Sequence, residues 1–347
     1  MKKLFAWILV FVMCLSMVAC AASNEAQPPV VNQQNTTPVD TETEGTTSVG
    51  TEPQGAASTT PVVYPEGPIL YKVTDSEGNV AWLFGSIHVG REDYYPLPEY
   101  VMNAFDGSDA LAVESNVVAQ EADQAAATQL LMGMMYKDGT DIKSHISAEL
   151  YDRCVAIMQA ENIYMPMMDR FHAFLWFSLI QELALNKCSG DMKLGVDRHL
   201  IEKATSAGKL VLEVENIEEH YYLYEKFSDE VTVMMLEESA EMYENPEEAD
   251  AEIIQMMDLW ASGDEQAFVD YIASEDDGLT AEELELYTQY NQVMITDRNL
   301  AMADWTENAL SSGIEVFIVV GAAHVIGEGA LADLLTQRGY TVERIAG

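Results

Sequence analysis

The chain has 347 residues, 48% of them hydrophobic, with 17 Lys and Arg against 58 Asp and Glu and a net charge of −41 at neutral pH. That length accommodates one large domain, or one domain carrying an insertion. The charge argues against nucleic acid and anionic lipid as partners, and 4 cysteines make no disulfide framework in a chain of this size.

The first 20 residues read as a leader. Lys2 and Lys3 form a positive start, and Leu4 to Val18 an apolar run of about 15 residues, short of the roughly 20 that a spanning helix needs. It ends in Ser16-Met-Val-Ala-Cys20, small or apolar residues leading to a cysteine. The pattern is that of a bacterial lipoprotein signal, with Met17 where Leu is commoner and Cys20 as the lipidated first residue. It places the protein on the extracytoplasmic face of a bacterial membrane, held there through the lipid anchor alone. From Ala21 to Pro65 the sequence is Thr, Pro, Gln, Gly, Ser and Glu with hardly a large apolar side chain. Such a stretch cannot offset its ordering entropy and reads as a disordered tether, spanning roughly 40 Å as a coil. Residues 66–347 remain for the fold.

Ile69-Leu-Tyr-Lys-Val-Thr and Val80-Ala-Trp-Leu-Phe flank Asp75-Ser-Glu-Gly-Asn79, a β-hairpin with turn residues at its centre. Pro98 to Phe105 predicts a short helix, and Asp109 to Glu114 a buried strand ending in a carboxylate. Helical spacing follows in Glu121 to Tyr136, Ser147 to Ala160 and Met167 to Leu185. The last of these is apolar on nearly every side and so is expected to be buried. Gly195-Val-Asp-Arg-His opens another helix, and Lys209 to Glu215 is a strand ending in carboxylates. Asn216 to Ser312 is helical and very acidic, with a long final helix from Ala281 to Leu310. The chain closes with an apolar strand, Val316 to Val320, a helix from Gly329 to Arg338 and a strand from Tyr340 to Ile345. Strands gather at both ends, so the predicted class is α/β (α+β). A central mixed sheet is built from N- and C-terminal segments, with a mainly helical insertion over roughly 121–190 and 216–312.

One pattern occurs twice. The strand Ala81-Trp-Leu-Phe84 runs into Gly85-Ser-Ile-His88, and Val316 to Val320 runs into Gly321-Ala-Ala-His324. The glycines let the chain turn and approach a ligand closely. His88, Glu114, Glu213 or Glu215, and His324 all fall at or just beyond the carboxyl ends of predicted strands, where open α/β sheets gather their ligands. Two imidazoles and a carboxylate suit a divalent transition metal such as Mn, Co or Zn, and a second carboxylate would take a proton from an activated water. No local spacing such as His-x-x-x-His implies a chelate, so the grouping depends on the sheet.

Leu83-Phe-Gly-Ser-Ile-His-Val-Gly90, Ala112-Val-Glu-Ser115, Gly195-Val-Asp197, the Val211 to Glu215 strand, Asp297-Arg-Asn299 and Val319-Val-Gly-Ala-Ala-His-Val-Ile-Gly327 occur in this order. Together they resemble the TraB/PrgY/GumN family over essentially all of residues 66–347, closely at the two ends and loosely in the acidic middle. The family includes the animal Tiki proteins, described as metal-dependent peptidases, and is related to the haem-binding ChaN and erythromycin-esterase-like folds. The resemblance implies His88 and His324 as motif histidines, Glu114 as the glutamate between them, and Arg298 as a group that binds substrate or braces a carboxylate. Asp197 and Glu215 are further carry-overs. His220 stands where relatives often have Gln.

Bland readings hold elsewhere. His145, His172, His199 and His220 are expected to do no chemistry, with His172 a hydrogen-bonded core group. Met132, Met134, Met135, Met165, Met167 and Met168 read as helix packing, and the acidic run from Glu237 to Glu252 as a solvated face. Pairing of Cys154 with Cys188, and the oligomeric state, stay open. The expected function is a metal-dependent hydrolase acting on peptides. His88, Glu114 and His324 would hold the metal, Glu215 would act as base, and Arg298 would orient substrate. The alternatives are a peptide-sequestering binder in the same fold, or a carrier of haem or another small ligand.

Overall fold

The structure is a computed structural model, and it describes residues 67–215, 222–273 and 279–346. The leader, Cys20, the tether and His220 lie outside the described residues. Among the described residues no helix is long and apolar enough to cross a membrane.

Six strands form one mixed sheet: β1 (Leu70–Thr74), β2 (Val80–Ser86), β3 (Ala110–Val113), β4 (Leu210–Glu213), β5 (Val316–Gly321) and β6 (Thr341–Ile345). Their order across the sheet is β4-β3-β5-β2-β1-β6. The hairpin is as expected, with Thr74 opposite Val80 and Gly78 in the left-handed region at φ 91°. Asp75 Oδ1 accepts from the backbone N–H groups of Glu77 and Asn79, which closes the turn. β4, β3, β5 and β2 are mutually parallel, and β1 runs against both β2 and β6. All of β3 and β5 is buried, as continuous apolar runs in parallel strands must be. Thus the sheet joins segments from the two ends of the chain, as predicted, with one strand from the middle at its edge.

The helices are α1 (Glu99–Gly107), α2 (Val117–Ala122), α3 (Gln124–Gly133), α4 (Ala148–Ala160), α5 (Ala173–Leu185), α6 (Val196–Ala207), α7 (Asp229–Glu244), α8 (Pro246–Ser262), α9 (Glu265–Ala273), α10 (Ala281–Asn291), α11 (Asp297–Ser312), α12 (Ala322–Val325) and α13 (Leu331–Gln337). Ser147 caps α4 by accepting from Leu150 N, as its position before the apolar run predicts. The helix expected from Glu121 to Tyr136 is two helices, because Asp123 ends α2 and caps α3 through its side chain. The one expected from Met167 begins only at Ala173. Residues Pro166–Arg170 form a 3-10 turn, and His172 caps α5 by accepting from Phe174 N. The long helix after Ala281 is continuous but carries a π-turn at Gln292–Thr296, ending two residues before Arg298.

α5 is the hub of the helical part. Phe174, Trp176, Phe177 and Ile180 are almost fully buried, and the helix packs along α7. The methionines are less uniform than expected. Met134 and Met168 are buried, but Met132 and Met167 are more than half exposed. Cys154 and Cys188 are free thiols.

Candidate functional site

Parallel pairing brings the two Gly-x-x-His segments together. β2 and β5 are neighbours with Gly85 opposite Val320 and Ser86 opposite Gly321, so both segments leave the sheet at one edge and in one direction. β3 lies on the other side of β5 and delivers Glu114 to the same edge. β4 lies beyond β3. Val214 N donates to Val113 O at 2.8 Å and Glu215 N to Glu114 O at 3.2 Å, which carries Glu215 alongside Glu114.

The motif glycines serve space, not a left-handed turn. Gly321 has φ −53° and ψ 142°, which any residue can adopt. A side-chain carbon on it would lie 3.4 Å from Glu114 Oε1, 3.7 Å from His324 Cδ2 and 3.9 Å from His88 Nε2. The space beside Gly321 is therefore where both imidazoles and the carboxylate converge. At Gly85 the same atom would press to 3.1 Å from Ala322 Cα, so its absence lets α12 seat against β2. Trp260 of α8 donates to Gly85 O at 2.8 Å and fixes that corner from outside.

His324 is fully buried on α12, a short helical turn where the sequence led us to expect only a turn. Its Nδ1 is 2.7 Å from Asn299 Oδ1. The Asn299 amide is oriented by its own Nδ2, which donates to Gly329 O at 3.0 Å, so Oδ1 is the acceptor and His324 Nδ1 carries the hydrogen. His324 Nε2 is left as a bare lone pair, buried and without a hydrogen-bond partner among the described residues. Burial, then the nearby Arg298 charge, push this imidazole down to a pKa of about 4, so it is neutral at pH 7.

His88 presents the opposite case. Its Nδ1 lies 3.2 Å from Asp197 Oδ1, a contact of ion-pair length that leaves Nε2 on the Gly321 side. Burial works against its charge, but Asp197 and then Glu114 outweigh burial and hold the pKa at about 9. Its side chain is 21% exposed. The contact with Asp197 exists because α6 begins against the His88 loop. Val196 N donates to Ile87 O at 2.9 Å, and a side chain on Gly195 would strike His88 O at 2.5 Å.

The carboxylates are braced by one guanidinium. Arg298 donates through Nη2 to Glu114 Oε2 at 2.7 Å, through Nε to Glu215 Oε1 at 2.6 Å, and through Nη2 to Glu215 Oε2 at 2.9 Å. Its Nη1 donates to Met294 O in the π-turn. Glu114 Oε1 accepts from Gly321 N at 2.5 Å. Burial would raise the Glu114 pKa, but Arg298 and the two histidines lower it to about 2, so it is a carboxylate. Arg298 is enclosed by its partners, with a side chain 5% exposed. It faces the two glutamates, not open space where a substrate would lie.

Of the residues singled out in the sequence, His88, Glu114, His324, Glu215 and Arg298 come together, with Asp197 behind His88 and both glycines at the floor. Glu213 does not join them. It is exposed on the edge strand and accepts from Asn116 N at 2.8 Å. Asn299 carries a role the sequence did not assign, although it closes the Asp297-Arg-Asn299 stretch that contributes to the family resemblance. Of the remaining histidines, His199 stacks on Tyr95 and His145 on Tyr136.

Two imidazoles, each with Nδ1 turned to an oxygen and Nε2 turned inward, fit a transition metal held through both Nε2 atoms, provided the metal displaces the His88 Nε2 proton. Glu114 is the carboxylate beside them, although both its oxygens already accept hydrogen bonds. Among the described residues no three His, Cys, Asp or Glu side chains are already gathered at metal-holding spacing.

The profile of the TraB/PrgY/gumN family matches residues 69–344. A relative from Escherichia coli (strain K12), described as uncharacterized protein YbaP, is 25% identical over 256 residues, which is 73% of this chain and 86% of that protein. A protein of the same description from Shigella flexneri matches to the same extent. No solved structure matches the chain. The chain belongs to the TraB/PrgY/gumN family.

Proposed function

We propose, from that family membership, that the protein is a membrane-tethered extracytoplasmic hydrolase that acts on peptides with a divalent transition metal, Mn, Co or Zn. The observation that carries this reading is the bare, buried Nε2 of His324 beside the space that His88 Nε2 and Glu114 also border. A buried lone pair without a donor is costly, and a metal is one group that satisfies it. His88 and His324 would hold it, with Glu114 as third ligand.

When bound, the metal supplies Lewis acidity. The chain's own residues prepare the place. Asn299 keeps His324 in the tautomer with Nε2 unprotonated, and Asp197 turns His88 so that its Nε2 faces inward. Arg298 holds Glu114 and Glu215 side by side through its ion pairs with both. Both oxygens of Glu215 meet Arg298, which favours a bracing role for Glu215 over the base role read from sequence. The gap beside Gly321 has room for a single atom of about methyl size.

The second reading is a peptide-sequestering binder without turnover. It is favoured by Glu114, whose two oxygens are already engaged by Gly321 N and Arg298. Metal content decides between them. Purified chain equilibrated with each of Mn, Fe, Co, Ni, Cu and Zn is expected to hold about one metal, and His88→Ala and His324→Ala are each expected to lose it. Peptide cleavage dependent on that metal would then establish the hydrolase. No metal above the level of the two variants, under any condition, removes the hydrolase reading and leaves the binder.

A further inference from the structure

Among the acidic residues of the run from Glu237 to Glu252, Glu238 is the one that departs from a solvated face. Glu238 is only 7% exposed. Its Oε1 accepts from the Tyr287 hydroxyl, and its Oε2 is buried with no hydrogen-bond partner among the described residues. Glu238 lines a groove of about 710 Å³ between α7 and α10, together with Asp229, Glu230, Glu237, Glu241 and Glu283. Val233, Met234 and Leu286 give the same groove an apolar strip. Asp229 and Glu241 are twelve residues apart on one helix, so the acids are spread over roughly 18 Å.

The chemistry of this wall selects its occupant. A buried carboxyl oxygen without a hydrogen-bond partner is costly in either protonation state, and an ammonium that brings an N–H to it as the carboxyl proton leaves removes that cost. The groove offers acceptors in a row and methylene-sized apolar patches between them. An extended peptide brings carbonyls that need donors, and among the described residues no Lys or Arg lines the groove. A chain of methylenes bearing ammonium groups brings donors only, and its stem can lie along the apolar strip. A metal ion is a poorer match, because among the described residues these carboxylates are not gathered at metal-holding spacing.

We propose that the groove between α7 and α10 binds an aliphatic polyamine, one ammonium of which meets Glu238 Oε2. The proposal is independent of the hydrolase reading. Burial raises the Glu238 carboxyl, the Tyr287 hydroxyl works against that, and Glu241, Glu237 and Glu283 add to it, with the outcome at about 8. Asp229, Glu230 and His145 complete the titratable groups along the groove. At pH 7 the empty groove therefore holds a protonated Glu238, and an arriving ammonium displaces that proton to solvent.

The test is calorimetric titration of spermidine into the full chain at pH 7, in two buffers of different ionisation enthalpy. Saturable binding is expected, with close to one proton released per ligand. Glu238→Gln should bind roughly tenfold more weakly without proton release, and Glu241→Gln, at an exposed position, should also weaken binding. Glu77→Gln, which removes one charge at the exposed hairpin turn, should bind as wild type. Circular dichroism checks that Glu238→Gln is folded, and Glu241→Gln carries the test if it is not. Absence of saturable binding overturns the proposal. So does an unchanged Glu241→Gln, or a loss in Glu77→Gln equal to that in the groove variants, which would mean diffuse attraction to an acidic surface. Tighter, Glu238-dependent binding of trilysine would replace the polyamine with a basic peptide.

Discussion

Asn299 Oδ1 stands 2.7 Å from His324 Nδ1, while the same amide donates through Nδ2 to Gly329 O at 3.0 Å. One side chain thus reads a backbone carbonyl on one side and sets an imidazole tautomer on the other. Neither residue is near the other in sequence, and the relation exists because α11 packs against the segment that follows β5. Asn299→Ala frees the tautomer without filling or opening the space beside Gly321. We expect metal affinity to fall roughly 10–100-fold, the usual effect of losing such an outer partner. Competition with a chelator for bound Co²⁺ measures this, and an unchanged affinity would show that the amide sets nothing.

Gly321→Ala fills the space where the imidazoles converge. Its backbone is compatible with alanine, and the new methyl lies at ordinary contact distance from Glu114, His324 and His88. The variant should keep stability within about 1 kcal/mol while losing metal or ligand. Gly195→Ala is the contrasting case, because the methyl meets His88 O at 2.5 Å. Overpacking there should cost about 1–3 kcal/mol and displace the His88 loop. Urea unfolding and metal content on both variants separate the two effects. Equal behaviour would contradict the assignment of one glycine to the site and the other to packing.

Arg298→Met leaves the buried Glu114 and the half-buried Glu215 side by side without their common counter-charge. Breaking such a network by removing one partner costs about 3–5 kcal/mol. Arg298→Lys should recover only part of this, since an ammonium cannot reproduce the three donations through Nε and Nη2. Denaturant midpoints test the order wild type, Lys, Met. Full recovery by lysine would mean that charge alone, not the forked geometry, holds the two carboxylates.

Glu238 gives a pH dependence with a definite sign. Its carboxyl is ordinary near 4.5 in the unfolded chain and is pushed up to about 8 in the fold by burial first. Below 4.5 both states hold the proton. Between the two values only the folded state does, so stability falls as pH rises through this window and levels off above it. Relative to Glu238→Gln, wild type should lose on the order of a few kcal/mol between pH 5 and pH 8.5. Urea unfolding at several pH values compares the two proteins, and parallel curves would mean that this carboxyl does not titrate as a buried acid.

Much of this architecture is legible before folding. Val316 to Val320 had to be a buried strand, because a short continuous apolar run ended by glycine has little alternative. The hairpin at Asp75 to Asn79 follows from its turn residues, and the cap at Ser147 from its place before an apolar run. The strand ends also marked His88, Glu114, His324 and Glu215, since the carboxyl ends of parallel strands share an edge. Less legible were the break at Asp123 and the late start of α5. There a side-chain oxygen or a 3-10 turn competes with helical spacing over only a few residues.

The sequence by itself determined which segments are strands, which residues leave their ends and that a Gly-x-x-His pattern recurs. Those are local properties, set by apolar period and by glycine. Only the tertiary structure decided the partners. It set Arg298 against two glutamates, Asp197 against His88, Asn299 against His324, and Glu213 outside the group. It also buried Glu238 within a run that composition marks as solvated. Each of these depends on which distant elements pack together, and long-range packing leaves no trace in the spacing of a single segment. A lone carboxylate in sequence is the same residue whether its neighbour in space is water, a guanidinium or another carboxylate, and that neighbour fixes its chemistry.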